Sequence, residues 1–133
     1  MTKLTDISLG WVIVYVDDPV ATSAFYEQTF GLVPEFAAPD GSYAQLSTGS
    51  TKLAFASYAL GDRSFPGGVR RPDPDTPANV ELTLVSDDVD GLHAAALAAE
   101  CTELAAPVDK PHGQRVGWVR DPFGTLLELA TPM

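Results

Sequence analysis

Arg120-Asp121-Pro122-Phe123-Gly124-Thr125-Leu126-Leu127-Glu128-Leu129 joins a turn to a strand. Asp-Pro-x-Gly is tight-turn chemistry. Proline holds φ early in the turn, and glycine supplies the positive φ that ends it. Apolar runs flank the turn, Val116 to Val119 before it and Leu126 to Leu129 after it, so the stretch reads as a β-hairpin. The second strand carries a carboxylate, Glu128, inside an apolar run. An unpaired charge is costly to bury, so Glu128 must face water, a partner or a ligand.

Upstream of this hairpin, one order of elements occurs twice. Leu9 to Val16 is apolar and β-branched, as a strand requires. Asp17-Asp18-Pro19 then offers an N-cap and a proline suited to the first helical position; the helix runs to about Phe30, with Gly31 beyond its end. Val20, Ala24 and Phe25 are spaced to bury one stripe. Short strands are expected at Val33 to Phe36, Tyr43 to Ser47 and Lys52 to Ser57, separated by Pro39-Asp40-Gly41 and Gly49-Ser50. In the second half, Val80 to Val85 alternates as a strand with one buried face. Asp87-Asp88 starts a helix from Val89 to about Ala99. A short strand near Glu103 to Ala105, a loop from Ala106 to His112 and the hairpin follow. The Asp-Asp pairs begin at 17 and 87, 70 residues apart. Between the copies, Gly61 to Pro77 is aperiodic and dense in Pro and Gly, as a linker or long loop is. The chain therefore reads as one α+β domain over residues 1–133. It has a βαβββ module at about 8–60, a linker at 61–77 and a second βαβββ module at about 78–132. Such a unit alone buries one sheet face, so the two are expected to pack together.

The 133 residues suffice for one domain, and 45% are hydrophobic. No run approaches the ~18 apolar residues of a membrane helix. The start, Met1 to Asp6, lacks the basic-then-apolar layout of a leader, so a cytoplasmic protein is expected. The formal net charge of −10 repels phosphate backbones and anionic membranes, which excludes nucleic acid and membrane as partners. It suits solubility and tolerates a cationic ligand. Cys101 is alone, with no Cys-x-x-Cys and no neighbouring His or Lys to activate it, and reads as a structural thiol.

Several stretches together resemble the vicinal oxygen chelate superfamily, which includes glyoxalase I, bleomycin-resistance proteins and extradiol dioxygenases. They are the strand-Asp-Asp-helix start with Phe25-Tyr26, then Asp87-Asp88-Val89-Asp90, Gly113-x-Arg115 before a strand, and Asp121-Pro-x-Gly124 with Glu128 four residues on. The resemblance spans about Leu9 to Pro132. Thr125 departs from it where the family often has Asn, as does Glu100-Cys101 where the second helix often ends in glycine. It implies a glyoxalase-like fold, with a curved mixed sheet around a cavity, in a homodimer. It also implies where a metal would be held. The first strand's ligand place, usually His or Gln, is Trp11, and the first module's last strand offers no Glu. The second module offers Glu81 where His is usual, and keeps Glu128. Two carboxylates hold a hard cation weakly, and zinc takes three or four ligands. No metal cofactor is expected, with Glu81 and Glu128 the weak candidates should a divalent ion bind.

Alternate strand residues share a face. If Val12, Val14 and Val16 pack on the helix, Trp11, Ile13 and Tyr15 face the cavity. Glu81, Thr83 and Val85 join them, as do Leu126, Glu128 and Ala130. Across the turn, Arg115, Gly117 and Val119 are expected beside them, with Trp118 opposite. The expected ligand-binding residues are Trp11, Tyr15, Glu81, Arg115 and Glu128, with His112 near the rim. The plainer roles are Trp11 and Tyr15 as core, Arg115 paired with Glu128, Glu81 turned to solvent by a one-residue register slip, and His112 as an exposed loop residue. His93 reads as a helix residue. Two facing glutamates suit proton transfer. An aromatic wall with carboxylates suits a bulky, partly aromatic ligand, cationic ones included. Three readings stay open: a bleomycin-resistance-like binder that sequesters a small molecule without a catalytic metal; a glyoxalase-, isomerase- or dioxygenase-type enzyme using Glu81 and Glu128 with or without a metal; and a structural or interaction module with the cavity collapsed around Trp11.

Overall fold

A computed structural model of the chain describes residues 5–133; Met1 to Leu4, part of the start read above for a leader, lie outside the described residues. Two compact units divide between Val69 and Arg70. The first holds β1 (Trp11–Val16), α1 (Pro19–Phe30), β2 (Val33–Ala37), β3 (Tyr43–Ser47), β4 (Lys52–Ser57) and α2 (Tyr58–Ser64). The second holds β5 (Glu81–Val85), α3 (Val89–Ala98), β6 (Thr102–Asp109), β7 (Arg115–Arg120) and β8 (Leu126–Ala130). Each unit has one four-stranded mixed sheet, ordered β1-β4-β3-β2 in the first and β5-β8-β7-β6 in the second. The first strand of each lies parallel to the last, and the other pairs are antiparallel. Both units are βαβββ modules of an α+β fold.

Local chemistry sets each helix start. Asp18 accepts from the Ala21 amide at 3.1 Å, and Asp88 accepts from the Gly91 amide at 2.9 Å. These caps satisfy N–H groups that the first helical turn cannot. Gly31, at φ 73°, ends α1 with its N–H turned back to Glu27 and Tyr26. The buried stripe of α1 is Pro19, Thr22, Ser23 and Tyr26, whereas Val20 is 48% exposed. The expected apolar stripe is thus corrected. The inward positions follow helical spacing, but two are the polar residues Thr22 and Ser23, so hydrophobic periodicity pointed elsewhere. Thr22 is accommodated by donating to the Asp18 carbonyl at 2.8 Å.

In the first unit Val14, Phe55 and Ala44 align across the sheet, and the fully buried Tyr26 ring of α1 lies 5.2 Å from Phe55. In the second, Leu127, Leu129 and Val119 are fully buried. Burying each such side chain contributes about 1.5–3 kcal/mol. Two segments differ from expectation. Tyr58–Ser64 is a short helix, started by Ser57 Oγ accepting from Leu60 N at 3.1 Å, where the linker was expected to begin at Gly61. The strand near Glu103 runs on to Asp109. Pro107 is tolerated there because β6 is an edge strand with register shifts.

The opening hairpin is built as its residues require. Asp121 accepts from the amides of Phe123 at 2.9 Å and Thr125 at 2.8 Å, and Gly124 has φ 101°. A Cβ on Gly124 would also lie 2.6 Å from the Pro72 ring. Arg120 donates to the carbonyls of Gly124, Pro74 and Asp73, tying residues 72–74 to the turn.

Candidate functional site

Each sheet has one face against its helix and one open face. In the first unit the pairing puts Trp11, Ile13, Lys52, Gln45 and Tyr43 on the open face, because paired strand residues share a face. Trp11 is 55% exposed and Ile13 44%. The Trp11 indole N–H donates to Gln45 Oε1 at 2.7 Å, and the Tyr43 hydroxyl donates to the same oxygen at 2.6 Å. Gln45 Nε2 donates to Glu35 Oε2 at 2.7 Å, and Lys52 Nζ reaches Glu35 Oε1 at 3.0 Å. The indole can only donate, so the Gln45 amide orientation is fixed by its partners. The hydrogen bonds from Gln45 and then Lys52 hold the Glu35 carboxyl below its usual value. Burial, and secondarily Glu35, push the Tyr43 phenol up, so it stays a donor. The network therefore persists as one charge arrangement across neutral pH.

Tyr15 shares that face but is covered. Phe65 meets its ring edge-on at 6.2 Å, and a Cβ on Gly61 would lie 2.8 Å from its Cε1. The exposed aromatics on this side are Trp11 and, on the edge strand β2, Phe36, which pairs with Gln45 and lies 6.1 Å from the Tyr43 ring.

The second unit carries Glu81, Thr83, Glu128, Trp118 and Arg120 on its open face. Glu128 accepts from Thr83 Oγ1 at 3.0 Å and pairs with Trp118 on β7. Glu81 pairs with Leu126 and Thr83 with Glu128, so the two glutamates share the face as expected, one pair apart along the strands. Lys110 Nζ stands 5.2 Å from the centre of the Trp118 ring.

Arg115 is a correction. The turn register pairs Trp118, not Gly117, with Glu128, so Arg115 lies on the helix side. Its guanidinium meets Asp90 of α3 at 3.0 Å and Asp109 of β6 at 3.2 Å, not Glu128. His112 is exposed in the β6–β7 loop, with Nε2 2.7 Å from Gln114 Oε1. His93 is 4% exposed and lies over Gly117, whose Cβ would come within 2.9 Å of His93 Nδ1. Its Nε2 donates to the Glu103 carboxylate at 2.8 Å. Cys101 is buried, and burial, then the Asp121 charge, push its thiol up to about 12.

A sequence model of the glyoxalase/bleomycin resistance protein/dioxygenase superfamily matches residues 8–129, nearly the whole chain. The chain belongs to that superfamily. No curated protein sequence matches it closely. Among solved structures, lactoylglutathione lyase from Agrobacterium tumefaciens is similar at 22% identity and TM-score 0.68, over 93% of this chain and 92% of that one. TioX from Micromonospora sp. ML1 is similar at 23% and 0.70, over 95% and 99%. A glyoxalase-related enzyme from Fulvimarina pelagi is similar at 22% and 0.76, over 94% and 88%. At these identities the likeness is one of fold. Among the described residues no helix is long and apolar enough to cross a membrane.

Metal-dependent members of the superfamily need a donor set. Within neither unit, among the described residues, do three His, Cys, Asp or Glu side chains gather to hold a metal ion. The place implied in β1 is taken by an indole whose nitrogen already donates. These residues do not fit a zinc-type site within a unit. Sequence reasoning missed Glu35, Gln45, Tyr43 and Lys52. A lone charge in an apolar strand singled out Glu128, and the same rule applied to Glu35 and Lys52 finds two of the four. Gln45 needed the strand register.

Proposed function

We propose that this superfamily member binds a small, flat, partly aromatic molecule against Trp11 on the open face of the first unit, without a catalytic metal. It acts as a sequestering or resistance protein in the cytoplasm, as a homodimer. The observation that carries this reading is the Trp11 indole, which is exposed in area yet pinned by Gln45 through a hydrogen bond of 2.7 Å. A ring held this way is pre-ordered for stacking, so little side-chain entropy is lost on binding. Titrating a panel of aromatic compounds against tryptophan emission tests it. Saturable quenching that disappears in Trp11→Leu is expected, and no response across the panel refutes it.

A second reading rests on Glu128. This half-buried carboxylate is held by Thr83 on the open face of the second unit. It suits a Glu-based lyase or isomerase. Elemental analysis of protein purified without chelator bears on both readings, since a stoichiometric divalent metal that survives dialysis favours an enzyme.

A further inference from the structure

We infer that the molecule stacked on Trp11 is an aromatic bearing acceptor oxygens, carbonyl or carboxylate, met by Lys52 and Gln45, and not a cation. The inference rests on the binding function proposed above and adds the ligand's chemical class.

Hydrogen-bond capacity on the first unit's open face is uneven. Gln45 Oε1 already accepts two hydrogens, from Trp11 and Tyr43. Each Glu35 oxygen accepts one hydrogen, from Gln45 and from Lys52, and Glu35 stands on β2, the edge strand opposite the β1 edge that carries Trp11. The donors are not used up. An ammonium carries three hydrogens and an amide nitrogen two. Among the described contacts Lys52 spends one and Gln45 one. The face therefore offers hydrogens to a ligand beside the Trp11 ring, because Lys52 is the cross-strand partner of Trp11 on the same side of the sheet. Its charge balance is neutral, since Glu35 and Lys52 cancel.

The other exposed acidic face does not supply the missing cation site. There the Trp118 ring already carries Lys110 Nζ at 5.2 Å. A cationic ligand stacking on that ring has to displace it, at the loss of an existing cation–π contact. A cationic ligand thus meets a lysine beside the ring on either face, Lys52 next to Trp11 and Lys110 over Trp118.

Calorimetric titration with three probes of one ring system tests the inference: 2-naphthoate, 2-naphthamide and 2-naphthylmethylammonium. With native protein, naphthoate is expected to bind at least ~10-fold more tightly than the ammonium probe, a charge-assisted hydrogen bond's worth of discrimination. Lys52→Met should remove most of that preference and leave naphthamide binding nearly unchanged. Glu35→Gln, which frees Lys52 from its partner, should tighten naphthoate binding. Circular dichroism confirms that both variants fold. If the ammonium probe binds as tightly as naphthoate, and Trp11→Leu abolishes both, the binding function stands and the inference falls. If Lys52→Met leaves the naphthoate preference intact, the inference falls as well. If none of the three binds, the inference falls together with the function it rests on.

Discussion

Ser23 and His93 occupy the same place in their units, five residues after a capping aspartate and on the buried side of the helix. Opposite them the sheets differ in the reverse sense. The first unit has Ala44 paired with Phe55, and the second has Gly117 paired with Leu129. In the second unit the large imidazole lies over a glycine, whereas in the first Ser23 and Ala44 line an open groove between α1 and the sheet. The open faces differ in another way. Trp11 and Glu81 both start the first strand, and Ala54 and Glu128 sit at matching places on the last one. On the helix side of the second unit, the glycine makes room for the imidazole because close packing demands it. On the open side, where Trp11 is 55% exposed and Glu128 half-buried, less has to be filled, and the two copies differ in chemistry while keeping one backbone path.

The largest test of this contrast strikes the two cores. Phe55→Ala is expected to cost about 3–5 kcal/mol and Leu129→Ala about 2–5 kcal/mol in urea unfolding, by loss of burial and creation of a cavity. A loss below 1 kcal/mol in either variant would show that its unit is not held by its helix-facing side. Next comes the volume exchange. Gly117→Ala drives a methyl to 2.9 Å from His93 Nδ1 and 3.2 Å from Pro107. That overpacking is expected to cost about 1–3 kcal/mol. Combining it with His93→Ser imposes the first unit's solution on the second, so the double variant should be more stable than the sum of the singles implies. Simple additivity would break the compensation argument.

Smaller effects separate the open face from the rest. In a Trp118→Phe background, Trp11 emission reports on the network. Glu35 titrates below its ordinary value of 4.5, held down first by Gln45 and then by Lys52. Its contribution is therefore present above the ordinary value and lost as pH falls through the lowered one. Emission should stay constant down to pH 4.5 and change below it. Lys52→Met, which leaves the Gln45 link to Trp11 in place, should move the change upward, and a midpoint unmoved by that variant would show that the change does not report Glu35. Arg115→Met should have the smallest effect, about 0–1 kcal/mol, since its partners Asp90 and Asp109 are solvent-exposed. Naphthoate affinity should not change in it; a large loss would return Arg115 to the ligand site.

Turn residues, helix caps and strand composition act over a few neighbours, so they can be read along the chain. Asp18, Asp88 and the Asp121-Pro-x-Gly124 turn do locally what their identities require. The repeat follows from their spacing, and with it the two βαβββ units and the superfamily. The open-face placement of Trp11, Glu81 and Glu128 was also legible, since alternation along one strand needs no partner. What the sequence alone could not decide was which residues meet across strands. Arg115 sits with Asp90 and Asp109 because the hairpin pairs Trp118 with Glu128, one residue from the expected register. Glu35, Gln45 and Lys52 converge on Trp11 and Tyr43 from β2, β3 and β4 only once the register is set. A shift of one residue flips every side chain to the other face. The elements of this protein are therefore local facts, and its candidate site is a fact of strand pairing.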